Sequence, residues 1–459
     1  MYYSYMTDIS VRRWSLLNTV SEGSELPVLA EVDVLVVGAG PAGVAAATVA
    51  SEAGKSVIVI EKYGFAGGAA VAGLSGTVCG MYLARDGQHL PEQVVYGFTE
   101  RFTRALSARG GLTAPQKYGK TFTSAHDPLM WRETADQLLM DAGVRILFHT
   151  SLVGVVMDGD VHRGAVVSSN AGDSVIIARR TIDASGDAAV VARSGGAYVF
   201  GDNGRIQNPT MFFRIGGVNV PEFLASYGTD TICPPWLTER LVAAREGGAD
   251  LPRQKIWIFE TTRPDELLVN ATRLTAADGS MLNVIDPEDF TWAEIGGRRQ
   301  VRAYAQFLTD SVPGCENSFV VDTGVEAGVR QTRTIVGVET LTNAAVVEGT
   351  KRADSICRSP WPIELHDGDR PKLHWLVNDY YDVPYLSLVP EKGEGIIVAG
   401  RCLSAQHEAL ASARVTAQCF EYGHAAAVAT IKSLDTGVSY RDLAGTDVAR
   451  AMVANGSAL

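Results

Sequence analysis

A chain of 459 residues is too long for one simple core and fits two domains. With 46% hydrophobic and 20% charged residues its composition is that of an ordinary globular protein, and a net charge of −12 lacks the positive field that a nucleic-acid partner requires. There is no uncharged apolar run of about 18 residues to span a membrane, and six scattered cysteines without Cys-x-x-Cys spacing point to reduced thiols rather than a metal centre.

Residues 1–30 read as a polar-to-mixed N-terminal arm with no uninterrupted apolar leader, which predicts a cytoplasmic protein. Residues 34–37, VLVV, are an apolar run short enough for a buried parallel strand, and Gly38, Gly40 and Gly43 follow in the spacing G-x-G-x-x-G. A small-residue helix and a second strand at 57–60 come next, with Glu61 at the strand's end. Gly38 allows a sharp turn, Gly40 lets backbone approach a pyrophosphate, and Gly43 lets helix and strand pack closely. The helix N-terminus then faces phosphate, and Glu61 stands where a carboxylate accepts both hydroxyls of an adenosine ribose. All these parts fall in register, which predicts a dinucleotide site.

The loop after Glu61, YGFAGGAAVAGLSGTVCGMY, is nearly uncharged and punctuated by Gly67, Gly68, Gly73 and Gly76, so a bulky planar ligand can lie against its backbone. Helical patterns follow at 93–106 and 128–142, with Trp131, Leu138 and Leu139 suited to one buried face. Residues 144–169 read as three strands joined by turns, and a further strand ends at Gly186 and Asp187, which places a β-meander within a parallel sheet. From about 205 to 330 the alternation of strand and helix is lost. WIFET, LLVNATRL and FVVDTGVE read as strands, and WLTERLVAAREGG and FTWAEIGGRRQVRAYAQFLTDSV as helices, a mixed sheet capping the first domain. Residues 350–384 read as irregular. GIIVAGRCLSA is another buried strand, and a small-residue helix from about 415 to 434 returns the chain to the first domain.

The expected fold is therefore α/β: a Rossmann-like dinucleotide-binding domain with an inserted β-meander over 31–205 and 385–440, and a second mixed α+β substrate or cap domain over 206–384.

VVGAGPAG with IEK, GFAGGAA, TIDASGDA, GVEAGVRQTRTIVGVETLT, VPYLSLVP and IIVAGRCLSAQHEALASARVTAQCFEYGHAAAVAT together resemble the FAD-dependent oxidoreductase family. This is a flavoprotein group with a two-dinucleotide-binding-type first domain, related to the flavin subunit of heterodisulfide reductases and to fumarate reductase flavoproteins. The resemblance implies that the cofactor is FAD. It implies that Gly38, Gly40 and Gly43, with Ala42 beside them, cradle the pyrophosphate, and that Glu61, followed by Lys62, holds the ribose. Gly67, Gly68 and Ala69 line the flavin, Asp187 approaches the cofactor, and Gly400 and Arg401 mark the later flavin-binding strand end. Arg330 and Arg333 match a paired-arginine element and are candidates to clamp a substrate carboxylate, with a structural ion pair as the alternative. A helix beginning near Arg414 would aim its positive end at the flavin and stabilise the reduced ring.

Flavin chemistry usually needs a group for the accompanying proton, and Tyr385, His407 and His374 flank the late motifs. Each also has a plain structural role open to it, as a packed tyrosine or a bracing histidine. Cys79 lies in the flavin loop and reads best as a small buried hydrophobe. The implied activity is hydride transfer between a small organic substrate and flavin, as a dehydrogenase or oxidase. A flavin monooxygenase and a non-catalytic electron-transfer flavoprotein are the alternatives. The electron acceptor is unspecified, homo-oligomerisation is left open, and no metal is expected.

Overall fold

The computed structural model describes residues 15–17, 26–366 and 372–459. Its main sheet has eight strands. Strands Arg145–Leu147, Val57–Ile60, Val28–Val37, Gly172–Asp183 and Ile396–Val398 run parallel in that spatial order. The long strand Gly172–Asp183 joins two architectures. Along one edge its first half pairs antiparallel with Val161–Ser169, and its last three residues pair parallel with Ile396–Val398. The expected β-meander is thus Ser151–Asp158, Val161–Ser169 and Gly172–Asp183.

Burial explains why the sequence of Val28–Val37 changes character along its length. Its first residues alternate between exposed and half-buried, whereas Val34, Leu35, Val36 and Val37 are all buried, as a central parallel strand demands. The helix Pro41–Glu52 follows, rich in alanine, and packs against the helix Thr416–Thr436. That contact is close because Gly423 has no side chain: a Cβ there would lie 2.0 Å from the carbonyl oxygen of Ala42.

Most of the expected N-terminal arm lies outside the described residues. Within them Ser15–Leu17 pairs with Ser151–Asp158, and residues 28–30 open the central strand after the irregular residues 26–27. The helix expected over 93–106 begins only at Phe98, because Gly97 turns the chain at φ +68°.

A second hydrophobic cluster, from Met211 to Ala327, is built on four strands in the order Trp257–Glu260, Leu267–Asn270, Phe213–Gly216 and Phe319–Thr323. Every pairing in it is antiparallel, not mixed as expected: the two pairs of like-directed strands, Phe213–Gly216 with Trp257–Glu260 and Leu267–Asn270 with Phe319–Thr323, are joined by helical crossovers that leave another strand between them, so no parallel strands are neighbours. Helix Pro287–Ser311 packs on this layer, started by Asp286, whose carboxylate accepts from the Glu288 and Asp289 amides.

The chain rejoins the first core earlier than residue 385. Ile335, Leu341, Ile356, Tyr381 and Val383 all belong to the first cluster. The segment expected to be irregular forms two ladders, Ser355–Ser359 with Tyr381–Pro384 and Ile363–Leu365 with Lys372–His374. A smaller aromatic cluster draws residues from both layers: Tyr118 and Trp361 meet Phe212, Trp257 and Phe259. No helix among the described residues is long and apolar enough to cross a membrane.

Candidate functional site

The parallel strands end together, and the residues just beyond them are the ones the sequence singles out. Val37 leads to Gly38 and Gly40, Ile60 to Glu61 and Lys62, Asp183 to Gly186 and Asp187, and Val398 to Gly400 and Arg401. In open α/β sheets ligands bind in this crevice. Here it opens into a cavity of about 620 Å³ that continues to the aromatic cluster and the ends of the second sheet.

The glycines divide by what surrounds them. A Cβ on Gly38 would sit 2.7 Å from the Ala184 carbonyl oxygen, and one on Gly43 would sit 1.8 Å from that of Gly38. Both are therefore required by protein packing. Gly40 differs: a Cβ there meets only Gly68 Cα, at 3.7 Å, and otherwise enters the cavity. Gly68 faces it, and its own Cβ would come within 2.8 Å of Gly40 Cα. The two glycines make a bare backbone floor, the kind of surface a pyrophosphate approaches.

Glu61 closes one end. It is buried, and its carboxylate accepts from the Ala39 amide at 2.8 Å and the Tyr63 amide at 3.1 Å. Burial raises its pKa even though those amides oppose the shift. Lys62 pairs with Glu326 at 3.0 Å, and Tyr63 donates to the same carboxylate.

Asp183 shows why the next turn is rigid. Its carboxylate accepts from Ser185 and from the Val190 and Val191 amides, so the loop 184–189 is tied to the strand end. Asp187 then meets Arg401 at 2.6 Å and the Thr332 hydroxyl at 2.7 Å. Against the cost of burial, the Arg401 charge and these hydrogen bonds hold the Asp187 carboxyl below its usual range. Arg401 also donates to the carbonyls of Gly186 and Val329, so its guanidinium is occupied by protein.

Of the residues expected to hold cofactor, Gly38, Gly40, Ala42, Glu61, Lys62, Gly68, Ala69, Asp187, Gly400, Arg401 and Arg414 line the cavity. Gly43 and Gly67 lie behind the lining. Gly67 shapes the loop instead, at φ +146° with its amide donating to Ala39 O. Arg414 stands just before the helix Thr416–Thr436, and Val415 and Thr416 line the cavity beside it, so the helix N-terminus does face the site.

The paired arginines separate. Arg330 is buried and donates to Asn208 O at 2.8 Å and Thr210 Oγ1 at 2.7 Å. Arg333 reaches the Asp187 carbonyl at 2.8 Å and the Tyr198 ring. Arg193, which sequence reading missed, lines the cavity near Arg333.

The three residues expected to handle a proton do not reach the cavity. Tyr385 is fully buried, with its hydroxyl donating to Tyr440 O at 2.8 Å. His407 opens the helix His407–Ala413, and His374 is exposed on the strand Lys372–His374. Proximity in sequence to late motifs misled, because the chain leaves the site between those motifs.

A different polar chain occupies the far end. Tyr118 Oη donates to Glu364 Oε1 at 2.7 Å, and His366 Nε2 lies 3.1 Å from the same oxygen. Arg253 sits 2.7 Å from His366 Nδ1. Since a guanidinium only donates, Nδ1 must accept, and the proton of a neutral ring lies on Nε2, facing Glu364. Burial and the nearby Arg330 charge push the His366 pKa well down. Burial raises the Glu364 pKa, but its interaction with His366, electrostatic first and then hydrogen-bonded, together with the Tyr118 hydrogen bond and the Arg414 charge, holds the carboxyl low. The sequence signal for this chain was slight: Tyr118 and Arg253 lie far apart in segments without a motif, and Glu364 and His366 lie in the stretch 350–384 that reads as irregular.

Cys79 also lines the cavity, within 3.4 Å of the hydroxyls of Thr77 and Thr123. Burial pushes its thiol up to about 11, so it stays neutral at ordinary pH. Among the described residues no group of three or more His, Cys, Asp or Glu side chains could hold a metal ion.

The cavity fits the cofactor class the motifs imply: a bare glycine floor, a carboxylate at one end and a helix N-terminus along the wall. Comparison with known proteins agrees. In Eggerthella lenta urocanate reductase a stretch of 38 residues is 63% identical, which spans 8% of this chain and 6% of that protein. Among solved structures, a geranylgeranyl bacteriochlorophyll reductase-like protein from Thermoplasma acidophilum is 14% identical, covering 92% of this chain and 83% of that one with a TM-score of 0.48. A flavoprotein/dehydrogenase from Cytophaga hutchinsonii is 16% identical, covering 92% and 82% with a TM-score of 0.46. Such scores say nothing about the chemistry. The match that decides runs over residues 33–452, nearly the whole chain: this protein belongs to the FAD dependent oxidoreductase family.

Proposed function

We propose that this enzyme moves a hydride between a small organic substrate and bound FAD, as a dehydrogenase or oxidase. The observation that supports the reading is the two-ended cavity, with a glycine floor at one end and the Tyr118–Glu364–His366 chain at the other. When bound, FAD would supply a ring that accepts or gives up one hydride, that is, two electrons and one proton.

The chain's own residues divide the remaining work. Gly38, Gly40 and Gly68 admit the pyrophosphate, Glu61 takes the adenosine ribose, and Arg193 and Arg333 supply positive charge along the wall. Asp187 and Arg401 neutralise one another and hold the loops 184–189 and 399–401 in place. Glu364 takes the proton that leaves the substrate during oxidation, or returns it during reduction. His366 and Tyr118 orient it, and Arg253 fixes the His366 tautomer. The aromatic wall of Phe212, Phe259 and Trp361 excludes water.

The test is anaerobic mixing of the holoprotein with candidate substrates while flavin absorbance is followed. Bleaching by one substrate class without oxygen or a nicotinamide is the expected outcome. Bleaching only by a nicotinamide, with oxygen then incorporated into product, would show a monooxygenase and overturn the reading.

A further inference from the structure

Arg330 and Arg414 line the far end of the cavity and Arg253 stands behind His366, and the groups to which these three arginines donate are neutral. Arg253 donates to Asn270 Oδ1 at 2.8 Å and to His366, Arg330 donates to Asn208 O and Thr210 Oγ1, and Arg414 donates to Gln207 Oε1 at 3.0 Å. The segment 207–208 binds them into one cluster. Gln207 Oε1 accepts from both Arg414 and the His366 amide, while Asn208 gives its carbonyl to Arg330 and its amide to His366 O.

Among the described residues one carboxylate, Glu364, faces this group, and its partner His366 is neutral. Assigning Arg414 to the cofactor, with the helix N-terminus beside it, still leaves Arg253 and Arg330 against Glu364 alone among the described residues. A buried charge without a partner is costly, and proteins keep one where a ligand completes the pair. The missing partner is an anion. A guanidinium fork matches a carboxylate. The wall facing the same space is aromatic, formed by Phe212, Phe259 and Trp361, which suits an apolar or planar body and not a hydrated inorganic ion.

We infer that the substrate is a carboxylic acid, its carboxylate taken by Arg330 and its apolar body lying against Phe212, Phe259 and Trp361. This rests on the reading of the cavity as the place where FAD and substrate meet. The acid also completes the charge balance around Glu364. With the surplus positive charge neutralised, the carboxylate that handles the proton binds that proton more readily than in the free enzyme.

The experiment is calorimetric titration of the FAD-loaded protein with benzoate, phenylacetate and cinnamate, each beside its amide. At least one acid is expected to bind roughly tenfold or more tightly than its amide. Arg330→Gln should remove that preference. Glu364→Gln should strengthen acid binding several-fold, an effect in the direction opposite to any folding defect. Amides that bind as tightly as acids, or no acid binding to protein with its full FAD complement, would overturn the carboxylate assignment while leaving the cofactor reading intact. Purified protein that neither carries nor takes up FAD would overturn both.

Discussion

Two glycines three residues apart should fail in opposite ways when changed to alanine. At Gly43 the new methyl would lie 1.8 Å from the Gly38 carbonyl oxygen, and ordinary contact begins at 3.4 Å. The helix Pro41–Glu52 must therefore retreat from the turn by about 1.6 Å. Overpacking against rigid backbone costs about 1–3 kcal/mol, and here the upper end applies because no side chain can swing aside. At Gly40 the backbone, at φ −69° and ψ −175°, already suits alanine, and the only atom within 4 Å is Gly68 Cα at 3.7 Å. Removing a glycine's unfolded-state freedom at such a site stabilises by about 0.4–1 kcal/mol. The methyl nevertheless occupies the floor that the pyrophosphate must touch. Gly40→Ala should thus leave flavin-free protein as stable as before, or slightly more so, yet weaken FAD binding by at least about tenfold, some 1.4 kcal/mol. Thermal unfolding of flavin-free protein and fluorescence titration with FAD separate the two effects. A Gly40→Ala protein that binds FAD normally, or that unfolds as early as Gly43→Ala, would refute the division of roles.

Tyr385→Phe removes one buried hydrogen bond to Tyr440 O and should cost about 1 kcal/mol in unfolding free energy while leaving turnover unchanged; a large loss of rate with normal stability would return Tyr385 to the active site. Glu364→Gln should slow substrate-driven flavin bleaching by roughly 100-fold or more in stopped-flow traces, and an unchanged rate would exclude Glu364 as the proton-handling group. The His162 ring is buried with no hydrogen-bond partner among the described residues, and burial pushes its pKa from 6.5 down to about 3. The unfolded chain therefore binds this proton first, so stability attributable to the neutral ring is complete above pH 6.5 and declines as pH falls toward 3. His162→Leu should flatten that decline in urea titrations across the same range, and an unaltered pH profile would contradict it. Arg401→Leu strips Asp187 of its cation and should cost about 1.5–3 kcal/mol, read by denaturant unfolding, with the Thr332 hydroxyl still bonded to that carboxylate.

The sequence by itself determined the dinucleotide half of this protein. The strand at 34–37, the glycine spacing, Glu61, the ASGD turn and the late strand at 396–398 are local patterns, and each local pattern ends at the same edge of one parallel sheet. Such motifs are legible because their chemistry depends on neighbours in sequence: a turn, a helix start, a strand end. Even there the glycines looked equivalent, and only packing distances separate Gly40, whose added Cβ would enter the cavity, from Gly38, Gly43 and Gly67, where it would meet protein.

Tertiary structure alone decided the other half. Arg330 was singled out by its motif, but Tyr118, Arg253 and Glu364 come from three separated segments, and each is an ordinary residue until burial brings it among the others. Closeness along the chain favoured Tyr385, His407 and His374, but the backbone turns those side chains into the core, into a helix start and out to solvent. Cofactor cradles are written in short spacings because they are made of backbone. Substrate pockets are made of side chains converging from several elements, and convergence is a property of the fold.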